Sequence, residues 1–484
     1  MKTKKIFNFL LLLGFLSGCD YLDIVPDNLP TLEMAFNNKS SAERFLFTCY
    51  SFVPEHGKIG TDPGMDVGDE VWYYSDNSAD YSNKTTFWIA KGMQNSNEPL
   101  VDYWNGTQWG KAMFVGIRDC NVFIENIEKV PDLSAYDKET WKAEAKVLKA
   151  FYHFWMMRMY GPIPIIKENI PVSAGEDEVR VVRDKIDDIV TYIVSLIDES
   201  VEYLPLNIQN EAAEMGRITR PAAKAIKAKI LAFAASPFFN GNLDYANFKN
   251  AEGEPFFNQV YDNEKWTKAA DACLEAIQCA EEAGHGLYEF VNMSSTQLSD
   301  ETILSLSNRC KVTERWNKEL VWGCGQSGIR DLQVLCQPWL ESNYSSDDRY
   351  HNARNGTFAP TLAVAETFYT KNGVPMDEDK NYDYSKRYTT QVATEADKYY
   401  IQPGYTTAKL HFDREPRFYA TLGFDGSSWY GIGKMDDNDM WYLQAKAKQA
   451  SGKRGNTLYS ITGYFAKKLV RYQNAMVPAS IQIE

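Results

Sequence analysis

Five histidines (His56, His153, His285, His351 and His411) and eight cysteines (Cys19, Cys49, Cys120, Cys273, Cys279, Cys310, Cys324 and Cys336) are the residues best suited to hold a metal or to act as nucleophiles. Their spacing argues against both. No HExxH and no CxxC occurs, so neither a zinc protease helix nor a zinc ribbon is indicated. GxSxG and a P-loop are also missing, which removes the usual signs of acyl transfer and of P-loop phosphate binding. Asp377, Asp379, Asn381 and Asp383 alternate like the first half of an EF-hand loop. The sixth place, which needs Gly, is Tyr382, and the twelfth, which needs Glu, is Tyr388, so a solvated loop without calcium is expected. Neither metal nor cofactor is expected. What stands out is aromatic content: 14%, with 12 Trp and 29 Tyr.

Aromatic rings stack on the apolar C–H faces of sugars, while Asn, Asp and Arg pair with hydroxyls at the rim. Two sets have this character: Trp72, Tyr73, Tyr74 and Trp88 with Asn77 and Asp80, then Trp316, Trp339 and Tyr344 with Arg349. The first set lies where Gly, Pro, Asp, Asn and Ser are dense between Glu55 and Gln108, among further aromatics (Tyr81, Phe87, Tyr103, Trp104) and with Trp109 just after. No helical period survives between Gly57 and Asn97, and a loop of that length is usually functional. The competing reading is that each ring merely pins its loop to the body. A net charge of −14 and a pI near 5.1 disfavour binding to nucleic-acid phosphates.

These loops need a scaffold. Glu139 to Ile166 (ETWKAEAKVLKAFYHFWMMRMYGPIPII) contains strong helix formers and no Pro or Gly before Gly161. Trp141, Ala145, Leu148, Tyr152, Trp155 and Met159 share one face, and Ala143, Val147, Ala150, Phe154 and Met157 fill much of the rest, which predicts a helix buried among helices. Trp141, Trp155 and His153 are therefore core or interface residues. Gly161 stops the helix, and Pro162 and Pro164 force an extended exit. Further helices are expected from Ser40 on through RFLFTCYSFV, over Gly110–Val130, Val182–Leu204, Ala222–Ser236 with Thr219 as cap and Pro221 in its first turn, and Glu264–Ala283. Their pairing suggests degenerate helical repeats of the tetratricopeptide type. Beyond Asn292 the chain reads as irregular, apart from a short helix over Thr361–Thr370. The seven cysteines after Cys19 read as buried free thiols.

At the N-terminus Lys2, Lys4 and Lys5 precede an apolar run from Ile6 to Leu16, then Leu16-Ser17-Gly18-Cys19. This resembles the lipobox of bacterial lipoproteins, which implies cleavage before Cys19, lipid attachment to it, and a change in net charge from −14 to −17 as three lysines are lost.

Four segments in order then carry a wider resemblance: the lipobox with CDYLDIVP; EAKVLKAFYHFWMMRMYGPIPII; GRITRPAAKAIKAKILAFAASPFFNGN; and DREPRFYATLGFDGSSW followed by GYFAKKLV. Together they resemble the SusD/RagB family of outer-membrane nutrient-binding lipoproteins. The resemblance implies a mainly α fold, a tetratricopeptide-like helix-pair scaffold with a large loop-rich ligand-binding region. It implies a signal peptide over 1–18, an anchor and leader over 19–30, a helical scaffold over 31–290 with the aromatic insertion at about 56–109, and an irregular region over 291–484. It also implies a surface-exposed, lipid-anchored protein of the outer membrane. Its partner would be a SusC-like TonB-dependent transporter and its cargo an oligosaccharide, taken up without chemistry. Peptide or another nutrient, an assembly role without small ligand, and a hydrolase are the alternatives. The chain departs from the family pattern after GYFAKKLV: it ends at YQNAMVPASIQIE, where a last helix pair is expected. Loss of that pair would leave apolar surface of the helical layer uncovered.

Overall fold

The computed structural model describes residues 32–73, 85–293, 295–325, 328–341, 353–454, 458–477 and 480–482. Eight helices of eight residues or more are described: α1 (Lys39–Tyr50), α2 (Met113–Asn126), α3 (Ala135–Tyr160), α4 (Ile186–Asp198), α5 (Arg220–Ala235), α6 (Glu264–Glu282), α7 (Asp300–Cys310) and α8 (Ile329–Cys336). The fold is the mainly helical one expected. None of its described helices is long and apolar enough to cross a membrane.

The central helix is α3. The Ser134 hydroxyl caps it by accepting from the Asp137 N–H at 3.0 Å. It is buried on nearly every side from Thr140 to Met157, including Trp141 and Trp155. Gly161 ends it at φ +69°, a conformation open to Gly without Cβ strain. α2 and α4 pack against α3, α1 packs on both α2 and α3, and α5 on α4. Thr219 caps α5 and Pro221 occupies its first turn, as the sequence predicts. At α1 the cap is Asn38, two residues before Ser40: its side chain accepts from the Ser41 N–H at 2.9 Å. The helix pair α5–α6 meets through small residues, Ala228 against Ala272 and Ala276, with Leu231 beside them. The opposite face of α6 carries Trp266, Leu274 and Ile277 exposed.

A buried ion pair ties this layer together. Arg217, just before α5, donates from Nη2 and Nε to the two carboxylate oxygens of Glu144 on α3 (2.6 and 3.1 Å). The Tyr50 hydroxyl donates to Glu144 Oε2 at 2.6 Å and accepts from the Ile218 N–H at 2.8 Å. Burial works against the Arg217 charge, but the Glu144 carboxylate outweighs it and raises the guanidinium above its ordinary value.

The second layer is built differently. Five short two-stranded antiparallel ladders are described. In the first, β1 (Val71–Tyr73) pairs with β2 (Phe358–Pro360), Tyr73 opposite Phe358. Ile59, Tyr73 and Phe87 therefore share a core with Leu332, Trp339, Phe358, Trp429 and Phe465. By packing, the aromatic insertion belongs with the C-terminal region as much as with the helices it interrupts. The motif around Arg414 is structural: its buried guanidinium donates to the carbonyls of Leu410, Ala365, Phe368 and Tyr369. α7 and α8 fall where the sequence reads as irregular, a correction. α7 carries a Ser299 cap, early acids Asp300 and Glu301, and buried Leu306 and Cys310 at helical spacing, all of them legible signals.

Candidate ligand-binding surface

The expected aromatic sets separate on inspection. β1 alternates, so Tyr73 points inward, its ring 4.9 Å from Phe87 and 5.3 Å from Phe358. It is 1% exposed, as is Trp339. The Trp339 indole donates to the Ala353 carbonyl at 2.9 Å, and its backbone N–H to Asn355 Oδ1 at 3.0 Å. Neither ring presents a face to a ligand; both hold their loops in place, and their assignment to a binding surface is corrected here. Trp72 is half-buried, edge-on to Phe87 at 4.9 Å. Trp88 is half-buried with the Lys91 ammonium 5.4 Å from its ring. Tyr74, Asn77, Asp80, Tyr344 and Arg349 lie outside the described residues.

Among the described members Trp316 is the most open, 41% exposed. Its backbone sits at φ +50°, a conformation that costs a bulky side chain energy and marks a site held by its surroundings. The surroundings are visible. Asn317 donates to the Lys311 and Glu314 carbonyls, closing the turn. The indole lies over Gly323, where an added Cβ would come within 2.6 Å of it. The Trp322 indole donates to the Gly216 carbonyl at 2.9 Å and meets Phe151 of α3 edge-on at 5.4 Å. The turn carrying Trp316 is thus docked onto α3 and the residue before Arg217.

Two further tryptophans were not singled out from sequence, although they lie in or beside the same aromatic-rich stretch. Trp109 is 71% exposed at φ +71°. Trp104 lines a hollow of about 330 Å³ with Phe114, Arg118, Pro164, Ile166, Asn169, Ile170 and Val181. One carboxylate organises the loop that carries both: Asp102 accepts from the Trp104 and Asn105 N–H groups, the Asn105 amide and the Thr107 hydroxyl. Those bonds hold its pKa below the ordinary value against the effect of burial.

Buried titratable groups elsewhere serve structure. His153 on α3 donates from Nδ1 to the Lys149 carbonyl (2.8 Å) and accepts at Nε2 from the Ile166 N–H (3.2 Å), a tautomer inferred from these partners. Burial lowers its pKa to about 4 and that of His411 to about 3. Asp379, in the EF-hand-like stretch, accepts from the Thr370 hydroxyl, the Asn381 N–H and the Asn372 amide. Its oxygens hold the loop together.

The comparisons agree with this architecture. Residues 20–231 match a family model described as starch-binding associating with outer membrane, and residues 330–480 match the SusD family model. The solved structure of BT4246 is similar at 27% identity and a TM-score of 0.75, over 91% of this chain and 74% of that one. A SusD-like protein, BF3747, from Bacteroides fragilis NCTC 9343 is similar at 16% identity and 0.60, over 91% and 70%. BF0978 from the same strain, a SusD-like carbohydrate binding protein, is similar at 17% and 0.53, over 89% and 67%. The latter two speak to the fold alone. Among curated protein sequences none matches. On the paired family matches and the shared fold, the chain belongs to the SusD/RagB family.

Proposed function

We propose that the protein captures a glycan at the cell surface and passes it, chemically unchanged, to a SusC-like TonB-dependent transporter of the outer membrane. A lipid on Cys19 would keep the body at that surface. The observation that carries the reading is Trp316: an exposed indole on a strained backbone, fixed to the helical layer. Such a ring is a rigid platform that loses little entropy when a sugar stacks on it. Trp72 and Trp88 offer further half-exposed rings. Family membership, and the description of the matching family as starch-binding associating with outer membrane, support the setting.

Calorimetric titration of the protein with a panel of neutral oligosaccharides tests the reading. At least one should bind, and Trp316→Ala should weaken it about tenfold, the scale of a lost aromatic stack. No heat with any glycan, but heat with peptides, would replace sugar with peptide as the cargo. Release of shortened products on long incubation would mark a hydrolase instead. Co-purification with an outer-membrane barrel in mild detergent tests the partner, and a body that never brings one down argues against it.

A further inference from the structure

The hollow at the C-terminal end of α3 has chemistry of its own. Its walls are apolar on most sides: Trp104, Phe114, Pro164, Ile166, Ile170 and Val181. Its volume, about 330 Å³, is at the lower end of small-molecule sites and suits one or two sugar rings. The walls are held rigidly. Trp104 is fixed edge-on by Phe114 (4.9 Å) and Tyr160 (5.6 Å). The outlet strand is clamped by three bonds: Ile166 N–H to His153, Ile165 N–H to Asp184 Oδ2 at 2.7 Å, and Asp184 N–H to the Ile163 carbonyl at 2.9 Å.

The polar groups of the rim differ in how they are engaged. The Asn169 amide is engaged at both ends, accepting from Asn121 and donating to the Arg118 carbonyl. Arg118 is different. Its side chain is 67% exposed and forms an ion pair with the adjacent Asp119 at 3.7 Å, a separation too long for a hydrogen bond. Arg183 adds a second positive charge, its guanidinium 5.2 Å from the Trp104 ring and donating to the Pro162 carbonyl. Asp119 and Asp184 stand beside these two cations, so the hollow is not a repulsively acidic place although the chain carries a net charge of −14.

We infer that this hollow is a ligand subsite separate from Trp316 and that it takes a sugar acid, a pyranose ring bearing a carboxylate. The C–H face would lie on Trp104 and its apolar neighbours, and the carboxylate would meet the Arg118 guanidinium in a charge-assisted, two-pronged bond. The inference rests on the glycan-capture reading and adds a substrate class to it.

The test compares uronic-acid oligosaccharides with neutral oligosaccharides of the same linkage by calorimetry, on the unaltered protein, Arg118→Gln and Val181→Trp. Both positions are exposed, so thermal midpoints should stay unchanged. The uronate should bind about tenfold tighter than its neutral counterpart, as expected for one charge-assisted pair. Arg118→Gln should abolish that preference. Val181→Trp should fill the hollow and remove uronate binding while Trp316-dependent binding of neutral glycans persists. Equal affinity for uronate and neutral sugar, or a preference that survives Arg118→Gln, overturns the subsite and leaves the glycan reading standing. Absence of heat with every glycan overturns both. Should Val181→Trp disturb folding, Arg118→Gln alone decides.

Discussion

Trp155 and Trp316 carry the same side chain into two unlike settings. Trp155 sits in the middle of α3, 1% exposed, on ordinary helical backbone and ringed by Tyr103 and Phe151. Trp316 sits on a turn at φ +50° and is 41% exposed. In the layer around the first, the charged groups are buried as partners, Glu144 with Arg217 and Tyr50, although the Trp155 indole N–H itself is buried without a hydrogen-bond partner among the described residues. Around the second, the backbone is strained and an apolar face meets water. The difference teaches that the helical layer is a platform optimised for burial, whereas the loops on it give up local stability for an exposed, fixed surface.

The largest expected effect lies in the platform. Glu144→Ala removes the two-pronged partner of buried Arg217, leaving it the bond from Nη1 to Glu214 at 2.8 Å, and should cost about 3 kcal/mol in denaturant unfolding; a loss below about 1 kcal/mol would mean the pair is not the clasp described. Trp155→Ala opens a cavity in the core and should cost a similar amount, about 3–5 kcal/mol, with no change in which glycan is preferred. A shift in preference without loss of stability would erase the contrast between the two tryptophans.

Acid should act on the platform next. The His153 pKa in the folded state is about 4, below its ordinary 6.5, so between those values the unfolded chain binds more protons. The stability contributed by neutral His153 is fully present above pH 6.5 and falls as pH drops towards 4, by on the order of 3 kcal/mol in all. His411, at about 3, adds loss in the same direction. Protonated His153 would also set an N–H against the Ile166 N–H. Thermal midpoints measured from pH 7 to pH 4 should fall, and the fall should be smaller in His153→Gln. The smallest effect belongs to the loop: Trp316→Gly relieves the left-handed backbone but loosens the unfolded chain, so unfolding should shift by less than about 1 kcal/mol.

The sequence showed the platform more clearly than the surface on it, for physical reasons. A helix such as α3 declares itself locally, through Trp141, Leu148 and Trp155 at helical steps and Gly161 with Pro162 at the exit. Burial of Tyr73 does not, because it depends on a partner strand, Phe358–Pro360, far along the chain. Trp339 looked like Trp316 in composition, and only the Ala353 and Asn355 contacts distinguish them. Asp102 and the hollow beside Trp104 were likewise invisible, since both are assembled from segments around residues 102, 118, 166 and 181. α7 was legible in its Ser299 cap and Leu306–Cys310 spacing but lay among Gly, Asn and Ser that suggested loop.

The division of labour between the two regions is tested most directly by calorimetry of the best-binding neutral glycan with Trp316→Ala and Trp155→Ala side by side, each with its unfolding curve. Trp316→Ala should lose about tenfold in affinity at unchanged stability, while Trp155→Ala, kept cold enough to stay folded, should bind as the unaltered protein does. Unchanged affinity in Trp316→Ala would contradict it.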